Sequence, residues 1–231
     1  MLGRAEGVAL LPCRGQADVV ADPLYSSRLG ALEQTWQVWS QLGGSMTGPQ
    51  WSAASRCPGW DVACLYAHHS QFLLALTAPP PAAPEVSGQP QSAVQVLRAF
   101  NAPDGVASTA ALAVADQASR DAAQHQPAEL AERFTRLGPV AIRRLRTASP
   151  DLVVPWPPAP AGVPLGEGLR IMLLEATVHL LDVQRALGQP PQLPATALAH
   201  TASLLAEMAP GVELIEAATG RSATSPFPVL R

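Results

Sequence analysis

The sequence predicts an all-α protein, a bundle of four main helices joined by long loops. Apolar residues recur at three- and four-residue intervals in four long stretches, which is the period of an amphipathic helix. No stretch shows a strong two-residue alternation, so strands are not predicted. Proline-rich segments separate the helical stretches and predict the loops. With 231 residues, 48% of them apolar and 14% charged, the chain has enough apolar material for a core.

Composition sets the domain organisation and excludes some partners. Residues 1–23 lack periodicity, so we expect a loose N-terminal arm followed by one helical domain over residues 24–231 with a short C-terminal extension. The net charge of −3 argues against a nucleic-acid partner. No run of about 18 apolar residues predicts a membrane span. Three cysteines form neither an even disulfide set nor a zinc motif, which favours a reducing cytoplasm.

Two helices are predicted in the first third of the chain. The first runs from Tyr25 to Leu42, before Gly43, with an apolar stripe of Leu29, Leu32, Trp36 and Trp39. The second runs from Val62 to Leu76, and Asp61 before it is a good N-cap. Proline-rich loops are predicted over Pro79–Pro90 and Pro150–Pro164, and we expect them to determine substrate specificity.

Further helices are predicted in the middle and at the end of the chain. A helical region over Ser92–Ala123 is broken near Pro103–Gly105. A stronger helix spans Ala128–Ala148, and a last amphipathic helix spans Pro194–Met208. Five arginines on the Ala128–Ala148 helix are interpreted as a solvated face: Arg133, Arg136, Arg143, Arg144 and Arg146.

The stretch from Leu165 to Gly188 is apolar nearly all round, which is typical of a helix buried among others. Glu175 and His179 are four residues apart, so both side chains leave the same helix face. A carboxylate and an imidazole in an apolar interior are costly unless they are paired or bind a cation. Metal ligation is one interpretation, and an ordinary hydrogen-bonded or solvated pair is the other. Asp182 follows by three and could accept the imidazole N–H.

A third ligand would come from another helix, and four histidines remain. His68 and His69 are adjacent, so they point about 100° apart and only one can face the core. His68 shares its stripe with apolar residues three before and four after it, which favours His68. His125 lies in a polar turn, and His200 lies in the last helix; both are weaker candidates.

Two runs of sequence resemble the mycothiol-dependent maleylpyruvate isomerase family, a branch of the DinB-like four-helix bundles. The run WSAASRCPGWDVACLYAH, Trp51–His68, is similar to the family's tryptophan, CPGW and histidine signature. The run EATVHLLDVQRALG, Glu175–Gly188, resembles its E-x-x-x-H-x-x-D helix, and ATGR at Ala218–Arg221 is similar to its tail. Both runs occur in the family's order, more than 100 residues apart.

The resemblance implies a DinB-like bundle in which His68, Glu175 and His179 bind a divalent metal, usually zinc, with Asp182 behind them. A set of two histidines and one glutamate leaves an open position, the mark of a catalytic zinc. The chain departs from relatives at Cys64, where an acidic residue is common, and at Leu180 and Leu181, where a bulky aromatic is common. We interpret Cys64 as a small buried thiol.

The implied activity is activation of a low-molecular-weight thiol, mycothiol, for attack on a small electrophile. About 40 residues follow the metal helix, whereas the isomerase carries a further domain, so we expect an S-transferase over a mycothiol-dependent cis–trans isomerase. A metal-binding bundle without thiol chemistry, acting as a hydrolase or cyclase or sequestering a ligand, is the alternative. A monomer or homodimer with a role in detoxification or secondary metabolism in an actinobacterial host fits this resemblance.

Overall fold

The computed structural model describes residues 22–79, 88–156, 159–222 and 224–230, and over these it is mostly helical. The predicted all-α class is confirmed, and one two-stranded hairpin accompanies ten helices in the described ranges. The helices are α1 Pro23–Ser45, α2 Gly48–Trp51, α3 Val62–Thr77, α4 Ala93–Phe100, α5 Val106–Thr109, α6 Ala111–Gln124, α7 Pro127–Thr147, α8 Leu165–Ala186, α9 Ala195–Met208 and α10 Gly211–Ala218. The strands are β1 Val153–Trp156 and β2 Ala159–Pro164.

Helices α1, α3, α7 and α8 form the four-helix bundle. Both α7 and α8 pack against α1 and against α3, so the four helices close a ring around one core. Trp39 on α1 lies at its centre and is fully buried. Its ring stacks on Phe134 of α7 with centroids 5.1 Å apart, and its indole N–H donates to the Ala176 carbonyl of α8 at 3.0 Å. Its ring centroid also lies 4.7 Å from that of Tyr66 on α3, so one side chain of α1 contacts all three other bundle helices.

Local capping explains why the helices begin and end close to their predicted bounds. Asp61 caps α3, because its Oδ1 accepts the Cys64 N–H at 2.9 Å. Helix α8 begins directly after Pro164 and ends where Gly188 takes a φ of +65°. The Gln189 N–H then donates to the Gln184 carbonyl at 2.8 Å, which closes a Schellman motif. These interactions depend only on neighbouring residues, so sequence alone locates them.

The prediction of a plain loop over Pro150–Pro164 is wrong, because part of it forms the antiparallel β1–β2 hairpin. Val154 pairs with Val163, and both are buried. Strand β1 has only four residues and contains a proline, so it carries too little alternation to predict a strand. Trp156 at its end packs so closely on α8 that a Cβ at Gly168 would lie 2.8 Å from the indole ring. The hairpin thus closes one side of the bundle.

The prediction of a solvated arginine face on α7 is wrong for two of its five members. Arg133 is nearly buried, with 10% of its side chain exposed, and binds Asp121 of α6. Arg144 donates to the carbonyls of Leu76 and Ala78 at 2.8 Å each, and so binds the C-terminal end of α3. Arg136 has an exposed side chain, as predicted. The buried pair holds α6 against the bundle.

Parts of the predicted arm and loops lie outside the described residues. These are residues 1–21 of the arm, residues 80–87 of the Pro79–Pro90 loop and residues 157–158 of the Pro150–Pro164 loop. The arm prediction ends at residue 23, whereas α1 already begins at Pro23, with Asp22 accepting the Leu24 N–H. Across the described ranges, no helix has both the length and the hydropathy that a membrane span requires.

Candidate metal centre

Donor atoms of His68, Glu175 and His179 converge between α3 and α8. One donor atom from each residue lies within 4.8 Å of the other two. His179 Nε2 is 3.3 Å from Glu175 Oε2, as expected for neighbours one helical turn apart. The packing of α3 against α8 adds His68, whose ring centroid is 5.3 Å from that of His179. The structure therefore brings together all three predicted ligands; metal binding by them stays a prediction.

Trp60 forms one wall of this centre. Its ring centroid lies 4.8 Å from that of His68 and 6.1 Å from that of His179. The turn before it takes its shape from Gly59, whose φ of +80° favours glycine, and the Trp60 N–H donates to the Cys57 carbonyl at 3.0 Å. Because the indole covers both imidazoles and is itself buried, water is kept from this side of the centre.

His69, and not His68, is the histidine that faces the bundle core, which corrects the stripe argument. His69 is fully buried and stacks on Trp39 with ring centroids 4.9 Å apart. Its Nε2 accepts the Trp36 indole N–H at 3.0 Å, so the ring proton is on Nδ1. A lone pair used in this way is not available to a cation. His68, about 100° around α3, instead points toward α8.

The remaining histidines and Cys64 lie apart from the centre. His125 Nδ1 is 2.9 Å from the Asp121 carbonyl oxygen, and His200 Nε2 is 2.9 Å from Ser27 Oγ. Cys64 is buried, with its Sγ 3.8 Å from Ser119 Oγ on α6, and burial raises the pKa of its thiol. None of these three belongs to a group of metal-ligating atoms found among the described residues.

Asp182 lies behind His179 and is itself held by the loop before α3. Its Oδ2 is 3.1 Å from His179 Nδ1, the contact that their spacing predicted. Arg56 donates to Oδ1 from Nε at 3.0 Å and from Nη2 at 2.7 Å. The Cys57 thiol donates to Oδ2 at 3.6 Å. Sequence reasoning assigned no role to Arg56 or Cys57, and no local signal links them to a residue about 125 positions away.

A second group of metal-ligating atoms shares one residue with the first. Donor atoms of Cys57, His179 and Asp182 also lie within 4.8 Å of one another. Arg56 adds a positive charge beside this group, although 58% of its side chain is exposed. The candidate metal centre thus consists of two donor sets that meet at His179.

The protonation states of the first set follow from burial and from its charges. Burial and the neighbouring His179 lower the pKa of His68 to about 4, so His68 is neutral at pH 7. Burial opposes the charge on His179, but hydrogen bonds to Asp182, Cys57 and Glu175 outweigh it and hold the His179 pKa well above its usual range. Burial raises and His179 lowers the pKa of Glu175, and the net shift is downward. These shifts favour an imidazolium at His179 between the carboxylates of Glu175 and Asp182.

Zinc affinity is expected to fall as pH falls, since zinc must displace the proton on His179 Nε2. Below the raised pKa of His179, each fall of one pH unit should lower the apparent zinc affinity about tenfold. A second proton, on His68, should compete only near pH 4. Competition with a chromophoric chelator between about pH 5 and about pH 6.5 measures the slope. An affinity that does not change with pH over this range would contradict the assignment of His179 as a ligand.

Comparison with known proteins matches one family to most of the bundle. The family model described as "Mycothiol maleylpyruvate isomerase N-terminal domain" matches residues 32–184, well over half of the chain. The matched range contains His68, Glu175, His179 and Asp182 and ends before α9. Neither the curated proteins nor the solved structures contain a significant match.

Proposed function

The chain belongs to the mycothiol maleylpyruvate isomerase N-terminal domain family, and from this premise we propose that it is a metal-dependent thiol S-transferase. Its thiol is mycothiol, which the family's name supports, and its second substrate is a small electrophile. The thiol releases its proton to solvent when it binds as a thiolate, a sulfur–carbon bond then forms, and the bond from that carbon to its leaving group breaks, so that the leaving group departs with the bonding electron pair. The observation that carries the proposal is the convergence of three metal-ligating side chains between α3 and α8.

The donor set fits a catalytic zinc ion. Two imidazole nitrogens and one carboxylate oxygen are the three protein ligands of several catalytic zinc sites. Tetrahedral zinc separates a nitrogen from an oxygen ligand by about 3.4 Å, and His179 Nε2 is 3.3 Å from Glu175 Oε2. A bound zinc ion would supply an open position for a thiol and lower the pKa of that thiol below about 8.5.

The surrounding residues orient the ligands and exclude water. Asp182 accepts the Nδ1–H of His179, so a cation that displaces the Nε2 proton would find the Nε2 lone pair directed toward Glu175 and His68. Arg56 donates two hydrogen bonds to the far oxygen of Asp182 and so fixes the orientation of the carboxylate. Trp60 covers both imidazoles, and fewer water molecules around a charged centre mean stronger electrostatic interactions within it.

A cis–trans isomerase is the second candidate, and the family description favours it. In that reaction the thiolate adds to an activated double bond, the carbon–carbon bond rotates, and the sulfur leaves again. Both reactions use the same activated thiol, and they differ in whether the product keeps the sulfur. Mass spectrometry of the product distinguishes them directly.

Calorimetric titration of the zinc-loaded protein with mycothiol tests the proposal. A thiol that binds as a thiolate releases one proton, so the measured heat should depend on the ionisation enthalpy of the buffer and report about one proton per thiol. Zinc-free protein and His68→Ala are the controls, and both should bind little or no thiol. Binding without proton release, or no binding by the zinc-loaded protein, would contradict the proposal and favour a hydrolase or a sequestering role.

Cys64→Ser is expected to retain most of the transferase activity. The Cys64 thiol is buried against Ser119 and has a raised pKa, so it carries little of the nucleophilic thiolate. Steady-state rates with mycothiol and an electrophile, compared with those of His68→Ala, provide the measurement. A loss in Cys64→Ser as large as that in His68→Ala would show that Cys64 takes part in the reaction.

A further inference from the structure

The two ring nitrogens of His179 face two different donor sets. Nε2 lies 3.3 Å from Glu175 Oε2, in the set that includes His68. Nδ1 lies 3.1 Å from Asp182 Oδ2, in the set that includes Cys57. The Cys57 thiol also points at Asp182 Oδ2, over 3.6 Å. Two donor protons therefore converge on one carboxylate oxygen.

Two of the three donor–donor distances in this second set are close to those of a tetrahedral cation site, and the third lies within 4.8 Å. Zinc-like bond lengths place a sulfur and an oxygen ligand about 3.6 Å apart, and a nitrogen and an oxygen ligand about 3.4 Å apart. The corresponding distances are 3.6 Å for Cys57 to Asp182 and 3.1 Å for His179 to Asp182. A single cation could thus replace both converging protons with little movement of the side chains.

The charges and the exposure of the second set favour the same exchange. Two Arg56 nitrogens, Nε and Nη2, bind Oδ1 of Asp182, which leaves Oδ2 to the thiol and the imidazole. A thiolate and a carboxylate together neutralise a divalent cation, and the exposed Arg56 side chain is screened by solvent. Cys57 is only half-buried, so a cation can reach it from outside.

We propose that Cys57, Asp182 and Nδ1 of His179 form a second cation site that is selective for thiophilic ions and excludes occupancy of the first. Thiolate ligands select soft cations, whereas the first set offers only nitrogen and oxygen. A neutral imidazole has one lone pair, so ligation through Nδ1 leaves the ring proton on Nε2. His179 can then no longer bind a cation together with His68 and Glu175. Thiophilic ions should therefore inhibit by withdrawing a shared ligand, whatever reaction the first site serves.

Cadmium titration of the intact protein tests the second site, because a cadmium–thiolate bond has a charge-transfer band in the ultraviolet. The band should appear in the parent and also in His68→Ala, in which the first donor set is incomplete and the second is intact. It should be lost in Cys57→Ser and kept in Cys64→Ser, the matched cysteine control. Circular dichroism establishes that each variant is folded, and Cys57→Ala serves if Cys57→Ser is not. A band that persists in folded Cys57→Ser or Cys57→Ala, or none in the parent, would overturn the proposal.

Cobalt at the first set tests the exclusion, since tetrahedral cobalt has a visible spectrum. As cadmium is added to the cobalt-loaded parent, the cobalt spectrum should fade in step with the rise of the thiolate band. The Cys57→Ser variant should keep its cobalt spectrum to higher cadmium concentrations. Coexistence of the cobalt spectrum and the full thiolate band, or equal cobalt loss in both proteins, would overturn the exclusion.

Discussion

Replacement of His179 by alanine is expected to lower the zinc content of the purified protein from about one ion per chain to almost none. His179 supplies one of the three converging donor atoms and is the residue shared by both sets. The apparent free energy of zinc binding to sites with four protein ligands is about 10–16 kcal/mol, so one ligand contributes roughly 3 kcal/mol. That is at least about 100-fold in affinity, enough for dialysis to remove the ion. Elemental analysis of dialysed protein gives the zinc content.

His200→Ala is the matched control for this experiment. The His200 Nε2 lies 2.9 Å from Ser27 Oγ and belongs to neither donor set. The zinc content of the variant should therefore equal that of the parent. Circular dichroism of both variants separates loss of a ligand from loss of the fold. Equal zinc in folded His179→Ala and in the parent would exclude the centre between α3 and α8.

Replacement of Arg133 by alanine is expected to lower the free energy of unfolding by about 3 kcal/mol. Arg133 binds both oxygens of Asp121, at 2.8 and 3.1 Å, and also Ser70 Oγ at 2.9 Å. Only 10% of the Arg133 and 12% of the Asp121 side chain are exposed. Among the described residues, removal of Arg133 leaves the buried Asp121 carboxylate with only the Gln71 amide at 2.8 Å and His125 at 3.2 Å, and loss of the charged partner of a buried pair typically costs about 3–5 kcal/mol. Urea unfolding, with the slope compared between variants, measures the change.

Arg136→Ala tests whether burial is the cause. Arg136 lies one turn further along α7 and pairs with Glu132 at 3.4 Å, but the two side chains are 72% and 54% exposed. An exposed pair of this kind contributes at most about 1 kcal/mol, and we expect a change below about 0.5 kcal/mol. If both arginine variants lose the same stability, the buried network between α6 and α7 has no special role.

The burial of Arg133 also shows what the residue pattern of a single helix cannot predict. All five arginines of α7 look alike in sequence, because each is a charged residue on a helix with an apolar stripe. Whether one is solvated depends on the neighbouring helix, and Arg133 is buried because Asp121 of α6 lies opposite it. The same holds for His68 and His69: the helical period separates their directions, but only the packing of α1 and α8 shows which of them faces the core.

Local interactions let the sequence by itself determine most helix bounds, the Asp61 cap, and the pairing of Glu175 with His179 on one face of α8. The family match over residues 32–184 confirms the resemblance that two separated motifs indicated. Only the tertiary structure decided that the hairpin covers α8 and that Arg56 and Cys57 bind Asp182. Helical geometry fixes contacts three or four residues apart, whereas contacts across 125 residues depend on how whole helices pack.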